Sequence, residues 1–303
     1  MLSDPLSEVL SLLKPQSSVS AGFEAGGDWA VRFEDPMARI KCYAVTRGSC
    51  WLSVDGLTEP VRIEAGECFV LPRGRPFRLG SDLVTIPVDA DTIFPPRVAG
   101  DVVTLNGGGS FALVGSRFAI EGRLASLVLD GLPALVHVSG ATDRAVLLWL
   151  VEQMRREVRD RKAGGALVAQ HLAHMMLVQA LRLHLDDAAT SGTGWYFALG
   201  DPQLAAAIEA LHADPARRWT LRDLGRIAGM SRSAFALAFR KRVGETPIGY
   251  LQRWRMLLAA ERLKQGAAVS AIASGLGYES ESAFSNAFKR TMGCTPRSFR
   301  TGA

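Results

Sequence analysis

The sequence predicts an α+β multidomain chain: first a barrel or sandwich of short strands, then a helical segment, and last an all-α domain of two helix-turn-helix units. Three observations carry this. Residues from about 20 to 136 alternate short β-prone runs with turn signals. From Asp143 to Asp187 the apolar residues recur at helical spacing. The last third carries one pattern twice, as "AGMSRSAFALAFRKRVGETP" at 228–247 and "SGLGYESESAFSNAFKRTMGCTP" at 274–296.

The β-prone runs are "WAVRF", "IKCYAV", "CWLSV", "VRI", "CFVLP", "LVTIPV", "VVTL" and "FALV", divided by Gly-rich breaks such as "EAGGD", "VDG" and "LNGGGS". Strands this short and frequent fit a sandwich or small barrel. In the helical segment, "DRAVLLWLVEQMRREVRDRK" puts Val146, Leu147, Leu150, Val151, Met154 and Val158 on one face. "ALVAQHLAHMMLVQALRLHL" follows the Gly164-Gly165 break, which predicts an antiparallel helix pair. Its apolar faces either join two subunits or pack on the barrel. "DDAATSGTG" has little to bury and reads as a linker. The expected division is therefore 1–142 for the β-rich domain, 143–187 for the helical segment, which joins subunits if its apolar face is not spent on the barrel, 188–200 for the linker and 201–303 for the domain of two helix-turn-helix units.

Composition narrows the function. No apolar run approaches the roughly 18 residues of a membrane span, so no membrane partner is expected. "MLSDPLSEVLSLLK" lacks the basic and apolar regions of a secretory signal. The four cysteines (Cys42, Cys50, Cys68, Cys294) form no CxxC pair, which predicts reduced thiols in the cytoplasm. From residue 201 onward there are 16 Lys and Arg against 8 Asp and Glu, a net of +8, while residues 1–200 carry −3. That asymmetry points the C-terminal part at a polyanion.

The repeat explains which one. Ala234, Phe235, Phe239, Gly244, Thr246 and Pro247 map onto Ala283, Phe284, Phe288, Gly293, Thr295 and Pro296 at an offset of 49. Ile227 and Ala228 match Ile272 and Ala273 at an offset of 45, so the second copy is four residues longer, in its turn. In the first copy Thr220 is a helix N-cap with Asp223 three residues on; Gly229 breaks the chain and Ser231 caps the next helix. The second copy repeats this with its recognition helix capped by Ser280. Between them "PIGYLQRWRMLLAAERLKQG" is a long helix able to space two recognition helices by about one DNA turn, roughly 34 Å. The partner predicted is double-stranded DNA, touched in two successive major grooves.

This arrangement closely resembles the DNA-binding domain of the AraC/XylS family of bacterial transcription regulators. The resemblance covers about the last hundred residues and is carried most clearly by "IASGLGYESESAFSNAFKRTMGCTPRSFR", including Gly277, Phe284, Phe288, Lys289, Gly293, Pro296 and Arg300. Only residues near the N-terminal half of each recognition helix reach base edges. In the first copy these are Arg232, Ser233, Ala236 and Leu237. Family members often carry polar readers where Ala236 and Leu237 stand, so this helix reads thymine methyls or specifies little. In the second copy the candidates are Glu281, Ser282, Ser285 and Asn286, and an asparagine can pair bidentately with adenine. Arg240, Lys241, Lys289 and Arg290 lie later and are expected on phosphates.

"GECFVLPRGRPF", Gly66 to Phe77, resembles the second motif of cupins, small barrels of the jelly-roll type. Where metal-binding cupins place a histidine this chain has Phe77, and the glutamate position of the first motif holds Lys41. His137 is the first of five histidines, so no metal site and no cofactor are expected. "LLKPQS", "PRGRPFRLG", "LVGSRFAIEG" and "LPALVHV" extend the likeness to the cupin-type sensor domains of one branch of AraC-like regulators. The resemblance implies a cupin-like barrel retained as a pocket or scaffold.

Other features carry less. Some relatives sense oxidants through cysteines near the start and after the cupin motif, but this chain has none before Cys42 and none between Cys68 and Cys294. Its three strand cysteines are expected as buried small hydrophobes. His171 and His174, at i and i+3, are read as helix-face residues, "LNGGGS" as a strand connection, and the Gly-x-Ser of "LVGSRF" as barrel rather than nucleophile elbow.

The expectation is a sequence-specific regulator with no enzymatic activity, modulated by an unidentified small-molecule effector, acting as a homodimer, and meeting RNA polymerase if it activates. The alternatives are a cupin enzyme fused to a DNA-binding tail and a cysteine redox-responsive regulator.

Overall fold

The computed structural model describes residues 4–13, 16–34, 40–94, 102–119, 129, 131–139, 144–160, 162–187 and 192–301. The chain forms two compact units: Pro15–Ile120 with Pro133–Asp187, and Met1–Lys14 with Glu121–Leu132 and Ala188–Ala303. Asp143, the linker residues 188–191, residues 120–122 of "LVGSRFAIEG" and the side chain of Val158 lie outside the described residues. No described helix is long and apolar enough to cross a membrane.

The β-rich unit holds β1 (Gln16–Ala25), β2 (Ala30–Phe33), β3 (Ile40–Arg47), β4 (Ser49–Val54), β5 (Val61–Glu64), β6 (Cys68–Leu71), β7 (Phe77–Gly80), β8 (Val88–Asp89), β9 (Val103–Leu105), β10 (Phe111–Ala119) and β11 (Val136–Val138). Its helices are α2 (Ala90–Ile93), α3 (Arg144–Asp160) and α4 (Gly165–Asp187). One sheet runs β11-β6-β3-β10-β1-β9 and the other β5-β4-β7-β2-β8. Alternation does the local work: in β4, Cys50, Leu52 and Val54 turn inward. They meet Phe23, Trp29, Phe33, Tyr43, Phe69, Phe77 and Phe111 in a core shared by both sheets.

The strands β3 and β6 are buried on both faces over Ile40–Val45 and Cys68–Leu71. Double burial is why these runs read as nearly continuous apolar stretches. On the outer side α4 packs on β1, β6 and β11, and α3 packs on α4. His174 is part of that layer: its ring meets Phe118 edge-on at 5.3 Å and its Nδ1 lies 2.8 Å from the Gln170 carbonyl oxygen. His171 is exposed, and no metal-binding group of three or more His, Cys, Asp or Glu occurs among the described residues. "LNGGGS" is the turn from β9 to β10, with Asn106 at φ 49°.

The positions expected of two cupin metal ligands do come together. Lys41 is buried on β3 and its Nζ lies 4.8 Å from the ring centre of Phe77, which stacks on Phe33 at 4.5 Å. A cation over an aromatic face thus occupies the place where the motif would put a glutamate and a histidine.

Two sequence readings need correction. "LVTIPV" is not a strand; only Val88–Asp89 pairs, with β2. The Asp82 carboxylate accepts hydrogen bonds from the Val84 and Thr85 amides (2.8 and 2.7 Å) and from the Thr85 hydroxyl (2.7 Å), turning the chain before a ladder can form. Pro87 has no amide to donate, and Val84 and Ile86 end up 87% and 88% exposed. In α3 the buried stripe is Leu147, Leu150, Val151 and Met154, while Val146 is 46% exposed. At about 100° per residue Val146 sits roughly 90° from the centre of that stripe.

The helical unit contains α1 (Pro5–Leu13), α5 (Trp195–Ala198), α6 (Pro202–Ala213), α7 (Leu221–Ile227), α8 (Arg232–Val243), α9 (Pro247–Lys264), α10 (Val269–Gly275), α11 (Glu281–Met292) and α12 (Pro296–Thr301). Trp195–Ala198, inside the stretch 188–200, is a helical turn with all four residues buried.

Phe77→Ala should cost about 3–5 kcal/mol, because it opens a cavity between the sheets and unstacks Phe33. Chemical denaturation of the full chain measures it. A loss below about 1 kcal/mol, less than a single buried methyl group is often worth, would mean the ring is not packed as described.

Candidate nucleic-acid interface

Each half of the helical unit is built by the same local chemistry. The Thr220 hydroxyl accepts from the Asp223 amide and the Asp223 carboxylate accepts from the Thr220 amide, closing a capping box at the start of α7. Those bonds hold the Asp223 carboxyl below its usual range. Ser231 accepts from the Ala234 amide to cap α8, and Ser280 accepts from the Ala283 amide to cap α11. Both recognition helices end on a left-handed glycine, Gly244 and Gly293, whose amides bond the Arg240 and Lys289 carbonyls. Inward, Phe235, Phe239 and Val243 of α8 correspond at the offset of 49 to Phe284, Phe288 and Met292 of α11, all buried.

Outward, the correspondence continues. Arg232, Ser233 and Leu237 are exposed on α8, as Glu281, Ser282 and Asn286 are on α11, while Ala236 and Ser285 are partly covered. Ser233, Ala236, Leu237 and Arg240 follow i, i+3, i+4, i+7 and share a face, and Ser282, Ser285, Asn286 and Lys289 repeat it. Leu237 is 72% exposed, an apolar side chain held in solvent on a helix whose opposite face is full of phenylalanine. Arg240, Lys241, Lys289 and Arg290 are exposed in the last turns.

What ties the halves together was not foreseen from the sequence. Arg255, midway along α9, donates from Nε to the Pro215 carbonyl at 2.6 Å and from one terminal nitrogen to the Arg217 carbonyl at 3.0 Å. Its guanidinium lies 5.7 Å from the ring centre of Tyr278, in the turn between α10 and α11. Burial lowers the Arg255 guanidinium from its ordinary value and raises the Tyr278 hydroxyl. Beside them Gly277, at φ +77°, comes so close to the Ala216 carbonyl oxygen that any Cβ would collide with it. Arg218 and Glu279 form an ion pair at the exposed edge of this contact. The longer second turn is therefore shaped to rest on the loop that leads into the first unit.

Residues 4–186 match the cupin family and residues 224–302 match the helix-turn-helix domain family. An AraC-like transcription regulator of Streptomyces lividans is 44% identical over 98% of this chain and 98% of its own length. The HTH-type transcriptional regulator AlkR of Acinetobacter baylyi is 30% identical over 98% of this chain and 99% of its own. The chain belongs to the AraC family of transcription regulators, with an N-terminal cupin domain. A solved structure of ToxT from Vibrio cholerae aligns over 95% of this AraC-family chain and 97% of that one, at 16% identity and a TM-score of 0.37.

In this AraC-type regulator the cysteines of the cupin domain sit in the core. Cys42, Cys50 and Cys68 are buried on β3, β4 and β6. Burial pushes the thiols of Cys50 and Cys68 up to about 12 and that of Cys42 well above its ordinary value. Thiolate, the reactive form, is scarce under those conditions.

Gly277→Ala should cost more than about 1 kcal/mol, from backbone strain and from the clash with Ala216 together. Gly229→Ala, also at positive φ but with only the Gln203 side chain within reach of a Cβ, should cost less. Denaturant titrations of the two variants compare them; equal losses would contradict the close packing at Gly277.

Proposed function

We propose that this AraC-family regulator binds duplex DNA by placing α8 and α11 in two successive major grooves on one face. A single observation carries the reading: two helices capped alike, by Ser231 and Ser280, carry the same four positions on one side, pairing Arg232 with Glu281, Ser233 with Ser282, Ala236 with Ser285 and Leu237 with Asn286. Asn286 is the strongest candidate for reading a base, through a bidentate bond to adenine, and Leu237 is suited to a thymine methyl. Arg232, Ser233, Glu281, Ser282 and Ser285 line the same faces. Arg240, Lys241, Lys289 and Arg290 supply phosphate contacts, which set register and salt dependence but carry no sequence information.

The role is regulatory, without catalysis, and the compartment is the cytoplasm, at the nucleoid. The cupin domain senses a small molecule, and a homodimer forms through α3 and α4, where Val146, Trp149, Leu167, Val168 and Met175 are exposed. RNA polymerase is the further partner if the protein activates.

Selection of genomic fragments by the full-length protein, at fixed salt near physiological ionic strength, tests the reading. Discrete sites with two contacts about a helical turn apart support it; diffuse binding that disappears with salt contradicts it. On the best site, Asn286→Ala should cost about 1–3 kcal/mol and relax preference at one position. Equal loss on every sequence would move Asn286 to the backbone. Arg290→Ala should weaken all sequences alike and reduce the salt slope by about one unit. An unchanged slope would take Arg290 off the phosphates.

A further inference from the structure

Several strands of the cupin domain end at one place. Phe33 is the last residue of β2, Leu71 the last of β6 and Phe77 the first of β7, while Lys41 is second in β3 and Arg117 third from the end of β10. Lys41 lies opposite Leu71 on one side and opposite Arg117 on the other. Phe33 lies opposite Phe77 in the second sheet, and the Lys41 Nζ over the Phe77 ring joins the two sheets there. The Tyr43 ring is 5.9 Å from that of Phe77.

The neighbours of Arg117 along β10 show which way it faces. The Ser116 hydroxyl lies 3.8 Å from the Met154 sulfur on α3, and the Phe118 ring meets His174 on α4. Successive side chains of a strand alternate, so Arg117 stands on the other face, toward the second sheet and directly across from Lys41. Like charges directly opposite on adjacent strands destabilise a sheet, and an arginine stays charged. The Arg117 Nε is buried without a hydrogen-bond partner, and Arg117 makes no ion pair among the described residues. Other arginines of the domain are served: Arg32 by the carboxylates of Asp55 and Glu34, and Arg78 by the carbonyls of Asp82 and Thr85.

An unpaired guanidinium beside a second cation is costly, and rules of this kind are broken at functional sites. A guanidinium offers five N–H donors in a planar fork that fits a carboxylate through two parallel bonds. A carboxylate set between Arg117 and Lys41 replaces one repulsion by two attractions; an amide of the same shape leaves the repulsion in place. Phe33, Tyr43 and Phe77 beside the two cations suit an apolar body joined to the charged group. Arg117 is partly exposed, which leaves the place reachable from solvent, and the mouths of β-barrels are recurrent sites for small molecules.

We propose that the strand ends around Arg117 and Lys41 bind the carboxylate of a small apolar acid, with Arg117 as the residue that grips it. This deepens the sensing role proposed above and rests on it: it names the chemical class of the effector and the side chain that selects it. Relief of the Arg117–Lys41 repulsion is part of the binding free energy, so the site discriminates by charge before shape. Without ligand, Arg117 is a burden on the fold.

The test uses the full chain with hexanoate and 3-phenylpropanoate, each beside its amide, and with acetate and inorganic phosphate as further anions. Binding is read by calorimetric titration and by the shift of the thermal unfolding midpoint. Hexanoate and 3-phenylpropanoate should bind and their amides should not; acetate, which has no apolar body, should bind more weakly than either. Arg117→Met keeps the length of the side chain and removes its charge. It should unfold at or above the parent's midpoint without ligand, and weaken both acids on the order of 10- to 100-fold, the size expected for hydrogen bonds to a charged group. Arg117→Lys, which keeps the charge without the fork, should fall between. Failure of both acids to bind the parent overturns the proposal, as does phosphate binding in preference to either. An Arg117→Met that unfolds well below the parent without ligand, or binds the acids as the parent does, makes Arg117 a structural residue and also overturns it. DNA affinity on a selected duplex, with and without acid, separates the site from the role it rests on. Acid held through Arg117 with DNA affinity unchanged supports the site and refutes sensing. A DNA response to either acid that survives Arg117→Met supports sensing and refutes the site.

Discussion

Arg255 reaches from the middle of α9 to the carbonyl oxygens of Pro215 and Arg217, and its guanidinium lies over the ring of Tyr278. A protein that reads two grooves must hold two recognition helices at a set separation and rotation, and flexible joints between them would forfeit the gain from the second contact. The 18 residues of α9 span about 27 Å, which sets the separation. Rotation is fixed by the contact between the second turn and the loop 214–218, where Arg255 ties both sides and Gly277 fits against Ala216 only because it has no side chain. The second turn, 276–280, is one residue longer than the first, 228–231, not four: Thr220 and Ala268, and Gly229 and Gly277, correspond at an offset of 48, so the match of Ile227 and Ala228 to Ile272 and Ala273 is out of register. This turn is a bearing surface as well as a corner.

The cupin domain is organised by a different constraint. Its six-stranded sheet is covered on one face by the second sheet and on the other by α3 and α4, so β3 and β6 have no wet side. Charge is costly there, and the buried charged residues are held by close contacts: Lys41 lies over the Phe77 ring and the Glu67 carboxylate lies 2.9 Å from His137 Nε2. The same burial keeps the three strand cysteines in the thiol form.

Much of this was legible in the sequence where the signal is local. Caps at Thr220, Ser231 and Ser280 are set by a side chain and an amide three residues away, and the repeat offset of 49 transfers Phe235, Phe239 and Val243 onto Phe284, Phe288 and Met292 without any tertiary information. The two cupin motifs counted along the chain named Lys41 and Phe77 as the residues at ligand positions, while the contact of the cation with the ring came from the fold. Legibility failed where a tertiary or turn interaction decided the outcome. "LVTIPV" has the composition of a strand, and a single aspartate before it captures two amides. β1 begins "QSSVSAG", a poor strand sequence, and is a strand there because Gln16–Ser20 pair with β10; β9 joins only at Phe23–Ala25. Arg255 looks like any surface arginine on a helix until the loop that accepts its hydrogen bonds is in place. Likewise nothing in "PLSEVLSLL" names α6 and α9 as the helices it will pack against.

The most direct measurement of the central claim is a hydroxyl-radical footprint of the full-length protein on a site it has itself selected. Two helices held on one rigid α9 should give two protected patches about 10 base pairs apart, both on the same face of the duplex. A single patch, or two patches on opposite faces, would contradict the account, because the contact of Arg255 and Gly277 with the 214–218 loop would then not be fixing the separation and rotation argued for it.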